Sequence, residues 1–130
     1  MAADYIFMRI VYVLNIIVAG QIAISSIFAP KSAAASVFQN AYSATETIRL
    51  VGCLWLGIAI LSALGLWKPV TFSPVLLLQL IYKGTWLIAV GVPAIVNDQP
   101  YPKGMALFFV IWVAVLPFVI PWSEWISSDA

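Results

Sequence analysis

The sequence predicts an all-α integral membrane protein, a four-helix bundle with both termini on the same side of the bilayer. Three observations predict it. Of 130 residues, 64% are apolar and 8% charged, against about 45–50% and about 25% in soluble domains. A chain this small has too much surface for its volume to hide so much apolar area from water. The apolar residues also gather in four runs, each near the length of about 20 residues that a helix needs to cross about 30 Å of hydrocarbon. Finally, the runs are separated by clusters of Pro, Lys, Trp and amide side chains, the residues of helix ends and membrane boundaries.

Each run has its own start and stop, and together they make residues 1–130 a single transmembrane domain with spans at about 5–28, 46–66, 74–96 and 104–120. The first follows Met1-Ala-Ala-Asp-Tyr5. Asp4 stands where a signal peptide carries positive charge, so 5–28 reads as a retained span. It closes at Ala29-Pro30-Lys31, because proline disfavours helix in the residue before it. Residues 31–42 are too polar to span. They read either as a solvated loop or as a short interfacial helix with Val37, Phe38, Ala41 and Tyr42 on one face. The second span opens with Ser43-Ala-Thr-Glu46, the spacing of a capping box, and closes at Trp67-Lys68-Pro69, an aromatic anchor beside a cation. Pro74 suits the first position of the third span, and Pro93 is expected to kink its last turn. Asn97 to Lys103 is a turn dense in helix breakers. Pro117 bends the end of the fourth span, and Pro121 to Trp125 reads as an interfacial tail. The short loops after the second and third spans imply that consecutive helices are adjacent and antiparallel.

Charge and composition exclude several classes. The net charge is +1, which gives no field for nucleic acid. One cysteine, Cys53, rules out a disulfide within the chain and reads as a small buried apolar residue. The chain has no histidine, the commonest metal ligand and general base. No paired carboxylates, metal-ligand cluster, phosphate loop or activated nucleophile can be read from it, so it is expected not to be an enzyme, with no catalytic residue and no metal site. Lys31, Arg49 and Lys103 against Arg9 and Lys68 is a bias of one charge, which places the 31–42 and 97–103 loops in the cytoplasm.

Polar side chains within a span normally face the bundle interior or a cavity, and are functional candidates for that reason. Lys83 is the sharpest, lying about 13 Å into the third span at 1.5 Å per residue. No carboxylate occurs at matching depth. It either contacts a ligand, a partner or a lipid phosphate, or snorkels and bonds Asn15, Gln79 or a backbone carbonyl. Gln79 and Trp86 lie one helical turn either side of it. In the first span Asn15, with Tyr12 three residues before it, and Gln21 could bond across helices or line a polar track. Arg49 is placed to pair with Glu46 at i and i+3, or to meet a headgroup, and Arg9 to snorkel beside Asp4. Gly52, Ala59 and Ala63 in the second span, and Gly84 and Gly91 in the third, mark close helix packing. Trp67, Trp122 and Trp125 suit the interface. The deeper Trp55, Trp86 and Trp112 pack the bundle or wall a flat apolar ligand.

Phe28-Ala-Pro30, Arg49-x-x-Gly52 and Leu64-Gly-Leu-Trp-Lys-Pro69 resemble the pattern of small four-helix bacterial membrane proteins of the DoxX-like kind, over about half the chain. The resemblance implies the bacterial inner (cytoplasmic) membrane, and a membrane subunit whose redox cofactors reside elsewhere, in a quinone-linked oxidoreductase. It carries over no catalytic residue. The expected role is a non-catalytic accessory subunit that packs against other membrane proteins and lipid, with no intrinsic cofactor but room for lipid, quinone or carotenoid. The alternatives are a stand-alone quinone-, lipid- or pigment-binding protein and a small transporter subunit.

Overall fold

The computed structural model describes residues 5–43 and 45–127, so Asp4, the expected neighbour of Arg9, lies outside the described residues. All regular structure among them is helical. α1 (Ile6–Phe28), α3 (Glu46–Trp67) and the stretch Pro74–Val96 are long and apolar enough to cross a membrane; 22 or 23 residues reach about 33–35 Å. The last of these comprises α4 (Pro74–Trp86), a π-helical turn (Leu87–Gly91) and α5 (Val92–Val96). α6 (Lys103–Val119) is a shorter apolar helix of 17 residues, about 25 Å long.

The helix ends follow local chemistry, with four departures from the sequence reading. First, Pro30 not only ends α1 but opens α2 (Pro30–Ser36). The side chains α2 and its following turn bury are Ala33, Ala34 and Phe38; Ala41 and Tyr42 stay half-buried, because the chain reverses through left-handed Gln39 and Asn40 (φ 51° and 59°) before reaching them. Second, the capping box does not form. Thr45 precedes α3 and makes no side-chain cap; Glu46 then occupies the first helical position, and its carboxylate pairs forward with Arg49 at 3.3 Å. Third, the expected kink at Pro93 appears upstream, as the π-turn. Proline offers no N–H to the carbonyl four residues before it, and the backbone widens so that the Val92 N–H bonds the Leu87 carbonyl. Fourth, the expected tail is a short helix, α7 (Trp122–Ser127).

Packing is uneven. α1 lies along α3 for most of its length, because small residues let the backbones approach. A Cβ on Gly52 would sit 2.7 Å from Ser26 Cβ and 3.1 Å from the Ala23 carbonyl, and one on Gly65 would sit 2.5 Å from the Tyr12 ring. Ala59 is buried here too. Ala63 and Cys53 instead face outward, and a Cβ on Gly84 would meet nothing within 4 Å. Ala63 and Gly84 are therefore not packing positions within this chain. α4 packs on α6 through Tyr82 and Trp86, both edge-on to Phe109 at 6.0 and 5.4 Å between centroids.

α3 and α4 follow one another across a short turn, yet they barely touch. The tight neighbour of α3 is α1, since the small residues of α3 face that way while α4 presents bulky aromatics. A wide apolar cleft remains between α3 and α4. At one end of the molecule the start of α1, the 68–73 turn and α7 are tied together. Tyr5 donates to Glu124 at 2.9 Å, Trp125 Nε1 to Ser73 Oγ at 3.0 Å, and Tyr12 to the Pro69 carbonyl at 2.7 Å. At the other end Gln39 accepts from the Gly104 N–H at 2.9 Å, covering an otherwise free donor of the first turn of α6.

Candidate functional site

Three polar side chains from different helices meet inside the molecule. Asn15 on α1 donates to Ser62 on α3 at 3.2 Å and to Gln79 on α4 at 2.8 Å, and Gln79 donates back to Asn15 at 3.1 Å. All three are buried. This exchange uses both N–H groups of the Asn15 amide, so α1, α3 and α4 are pinned at one level by groups that cannot be left unpaired away from water. Each sits on the inward face of its helix because the next turn in the same stripe, Ala19, Ala59 or Leu76, is core.

One turn beyond Gln79, Lys83 is buried, with only 4% of its surface exposed. It does not snorkel, nor does it bond Asn15, Gln79 or a backbone carbonyl. Its Nζ donates to the neighbouring Tyr82 hydroxyl at 2.7 Å and sits over the Tyr82 and Phe109 rings at 4.4 and 4.9 Å from their centroids. Those ring faces are negative and attract a cation. Nothing else among the described residues compensates it. Of the described carboxylates, Glu46 pairs with Arg49, Glu124 accepts from Tyr5, and Asp98 is exposed in the 97–102 turn.

Two voids flank this cluster. An inner pocket of about 260 Å³ is lined by Asn15, Gln79, Lys83, Tyr82 and Trp55, with Phe108, Phe109 and Met105 of α6 along its wall, and it opens to the surface beside Val18, Ile22 and Gly104. At about 30 Å³ per water this is room for roughly eight waters, or for a headgroup. The outer void is the α3–α4 cleft, about 1200 Å³, with aliphatic walls that include Leu54, Ile58, Leu78 and Ile81 and with Tyr42, Ser43, Thr45 and Thr47 at one end. Trp55, Tyr82, Met105 and Phe109 line both voids and are the partition between them.

The structure brings Lys83, Gln79 and Asn15 together and separates the other candidates. Tyr12 is fully buried but faces the 68–73 turn, held by Pro69 and packed on Gly65. Trp86 lines the cleft, not the cavity. Gln21 is exposed, so the first span carries no continuous polar track. Glu46 and Arg49 form an exposed ion pair at a helix end, and Arg49 Nε also donates to the Ile27 carbonyl at 3.1 Å, joining α3 to α1. Arg9 Nε is buried without a partner among the described residues, as is the hydroxyl of Ser26. Among those residues no group of His, Cys, Asp and Glu could hold a metal ion. Sequence reasoning missed Ser62, Tyr82 and Phe109. Tyr82 had a usable signal, adjacency to the lone buried cation, whereas Ser62 and Phe109 are placed only by helix packing.

Comparison with protein families, with characterised proteins and with solved structures finds no match to this chain.

Proposed function

We propose that this chain is a non-catalytic integral membrane protein that crosses the bilayer four times, with both termini on one side, and holds an apolar molecule of the lipid or quinone class whose polar head lies at Lys83. The observation that carries the reading is the buried Lys83 in the wall of a pocket with no carboxylate beside it among the described residues. A charged group at the centre of a membrane costs several kcal/mol by most measures, and such residues are kept where they contact a ligand or an ion path. Two Lys83 donors and one Gln79 N–H remain for an acceptor, while the aromatic wall suits an apolar body. The ties among Tyr5, Glu124, Ser73 and Trp125 support placing both termini at one face.

Extraction of the protein purified from its native membrane tests this. Mass spectrometry of the extract is expected to find a stoichiometric apolar molecule that a folded Lys83→Ala variant lacks. Equal ligand in the variant refutes the site.

An accessory-subunit role is the second reading, favoured by Gly57 on α3. A Cβ there would meet nothing within 4 Å, and a bare glycine on a membrane helix admits close approach of another helix. Copurification in mild detergent tests it; a lone monomer argues against it.

A further inference from the structure

From the two voids and the chemistry between them, and resting on the reading of Lys83 as a ligand site, we infer that the ligand is a single-chain amphiphile with a compact oxyanion head. The head displaces the Tyr82 hydroxyl on Lys83, and the chain runs into the α3–α4 cleft.

Charge selects the head. Among the described residues Lys83 is the one charged side chain lining the cavity, and a buried ammonium without a counter-charge is destabilising unless an anion joins it. A neutral carbonyl would satisfy a donor but leave the charge. A carboxylate or phosphate monoester satisfies both, by charge-assisted hydrogen bonds stronger than the one to Tyr82. The unspent N–H groups of Lys83 and Gln79 are donors, which matches an acceptor-rich head. The inner cavity, about 260 Å³, holds a head and a few carbons but not a long chain.

The Tyr82 side chain selects the route. It occupies Lys83 now, at 2.7 Å, and is one of four side chains between cavity and cleft. Once an oxyanion takes its place on Nζ, the Tyr82 hydroxyl loses that donor, and the ring keeps its edge-on packing against Phe109 and the core around it. Movement of the Tyr82 ring joins the two voids. The cleft beyond has aliphatic walls with hydroxyl-bearing residues at one end, and its wall residues Leu54, Leu78 and Ile81 are exposed on the molecule's apolar surface. A chain can therefore enter sideways from lipid.

The experiment is competition against radiolabelled hexadecanoate bound to the purified full chain in neutral detergent. Hexadecanoate and hexadecyl phosphate are expected to compete about tenfold or more better than hexadecanol, the margin of a hydrogen bond to a charged group, and the better of the two names the head. Lys83→Met, which suits a membrane interior and keeps the bulk, removes that margin; Lys83→Arg retains it. Tyr82→Phe, lacking the competing hydroxyl, binds hexadecanoate more tightly than wild type. Thr85→Trp, filling the cleft, weakens hexadecanoate but not octanoate. Equal competition by the alcohol, or a margin that survives in Lys83→Met, overturns the oxyanion assignment while leaving the ligand site standing. An unaffected Thr85→Trp overturns the route. No saturable binding by any probe overturns both the inference and the ligand-binding reading beneath it.

Discussion

Replacing Gly65 with alanine tests the α1–α3 seam directly. A Cβ at this position would lie 2.5–2.7 Å from three atoms of the Tyr12 ring. Ordinary contact begins near 3.4 Å, so the ring must retreat by about 0.8 Å in a close-packed interior. The ring is fully buried and tethered, its hydroxyl donating to the Pro69 carbonyl at 2.7 Å. The same displacement along the bond stretches it to about 3.5 Å, where it ceases to be a hydrogen bond. Overpacking costs about 1–3 kcal/mol and a weakened buried pair about 1–3 more, offset by about 1 from the better helix propensity of alanine. The net is a loss of about 1–5 kcal/mol. Gly20→Ala and Gly57→Ala are the controls, since a Cβ at either meets nothing within 4 Å; they gain about 0.5–1 kcal/mol from propensity alone. Reversible unfolding in mixed micelles, followed by circular dichroism, measures all three. If Gly65→Ala unfolds at the same denaturant fraction as the controls, Tyr12 does not pack on Gly65 as described. A Tyr12→Phe change should then cost less in the Gly65→Ala background than alone, because the hydrogen bond it removes is already weakened.

Three further outcomes follow from the same contacts. Gly52→Leu must push α1 from α3, because the added carbon meets the Ala23 backbone carbonyl at 3.1 Å as well as Ser26; it is expected to cost more than Gly65→Ala and to lower expression of folded protein. Asn15→Leu strands the Gln79 amide and is expected to lose about 1–3 kcal/mol, whereas Asn15→Leu with Gln79→Leu recovers most of it; a double-mutant cycle in the unfolding assay that shows no coupling contradicts the reciprocal pair. Glu46→Gln breaks an ion pair exposed on both sides and should change stability by less than about 1 kcal/mol, a difference that shrinks further as salt screens the pair; a larger loss would mean that this helix end is enclosed.

Much of the helical layout was legible in one dimension. Apolar runs bounded by prolines and interfacial aromatics place α1, α3 and the Pro74–Val96 stretch, because a helix in lipid must satisfy its own amides and can be recognised by length and composition alone. The pairing of Glu46 with Arg49 follows from helical spacing, and the isolation of Lys83 from the absence of any carboxylate at its depth. The capping box failed for a local reason: Ser43 and Glu46 have the right spacing, but the helix begins two residues later than that motif requires, and a start position depends on where the chain arrives from α2. The π-turn was foreshadowed by Pro93 but not located by it, since the widened turn can be placed at several points upstream.

By itself, then, the sequence determined that the chain is helical and apolar enough for a membrane, which residues are costly to place there, and that no carboxylate in a span stands at the depth of Lys83. Only the tertiary structure decided which of those residues meet. Asn15, Ser62 and Gln79 come together, and Tyr12 turns away to Pro69, because the rotation of each helix about its axis is set by side chains on its neighbours. The separation of α3 from α4 is of the same kind. Sequence adjacency and a short turn bring two helices near, but the small faces of Gly52 and Ala59 are matched by α1, and that match leaves open the cleft beside Tyr82. Periodicity shows which face of a helix is apolar; when nearly every face is apolar, as in a membrane, complementary shape decides which face is inside.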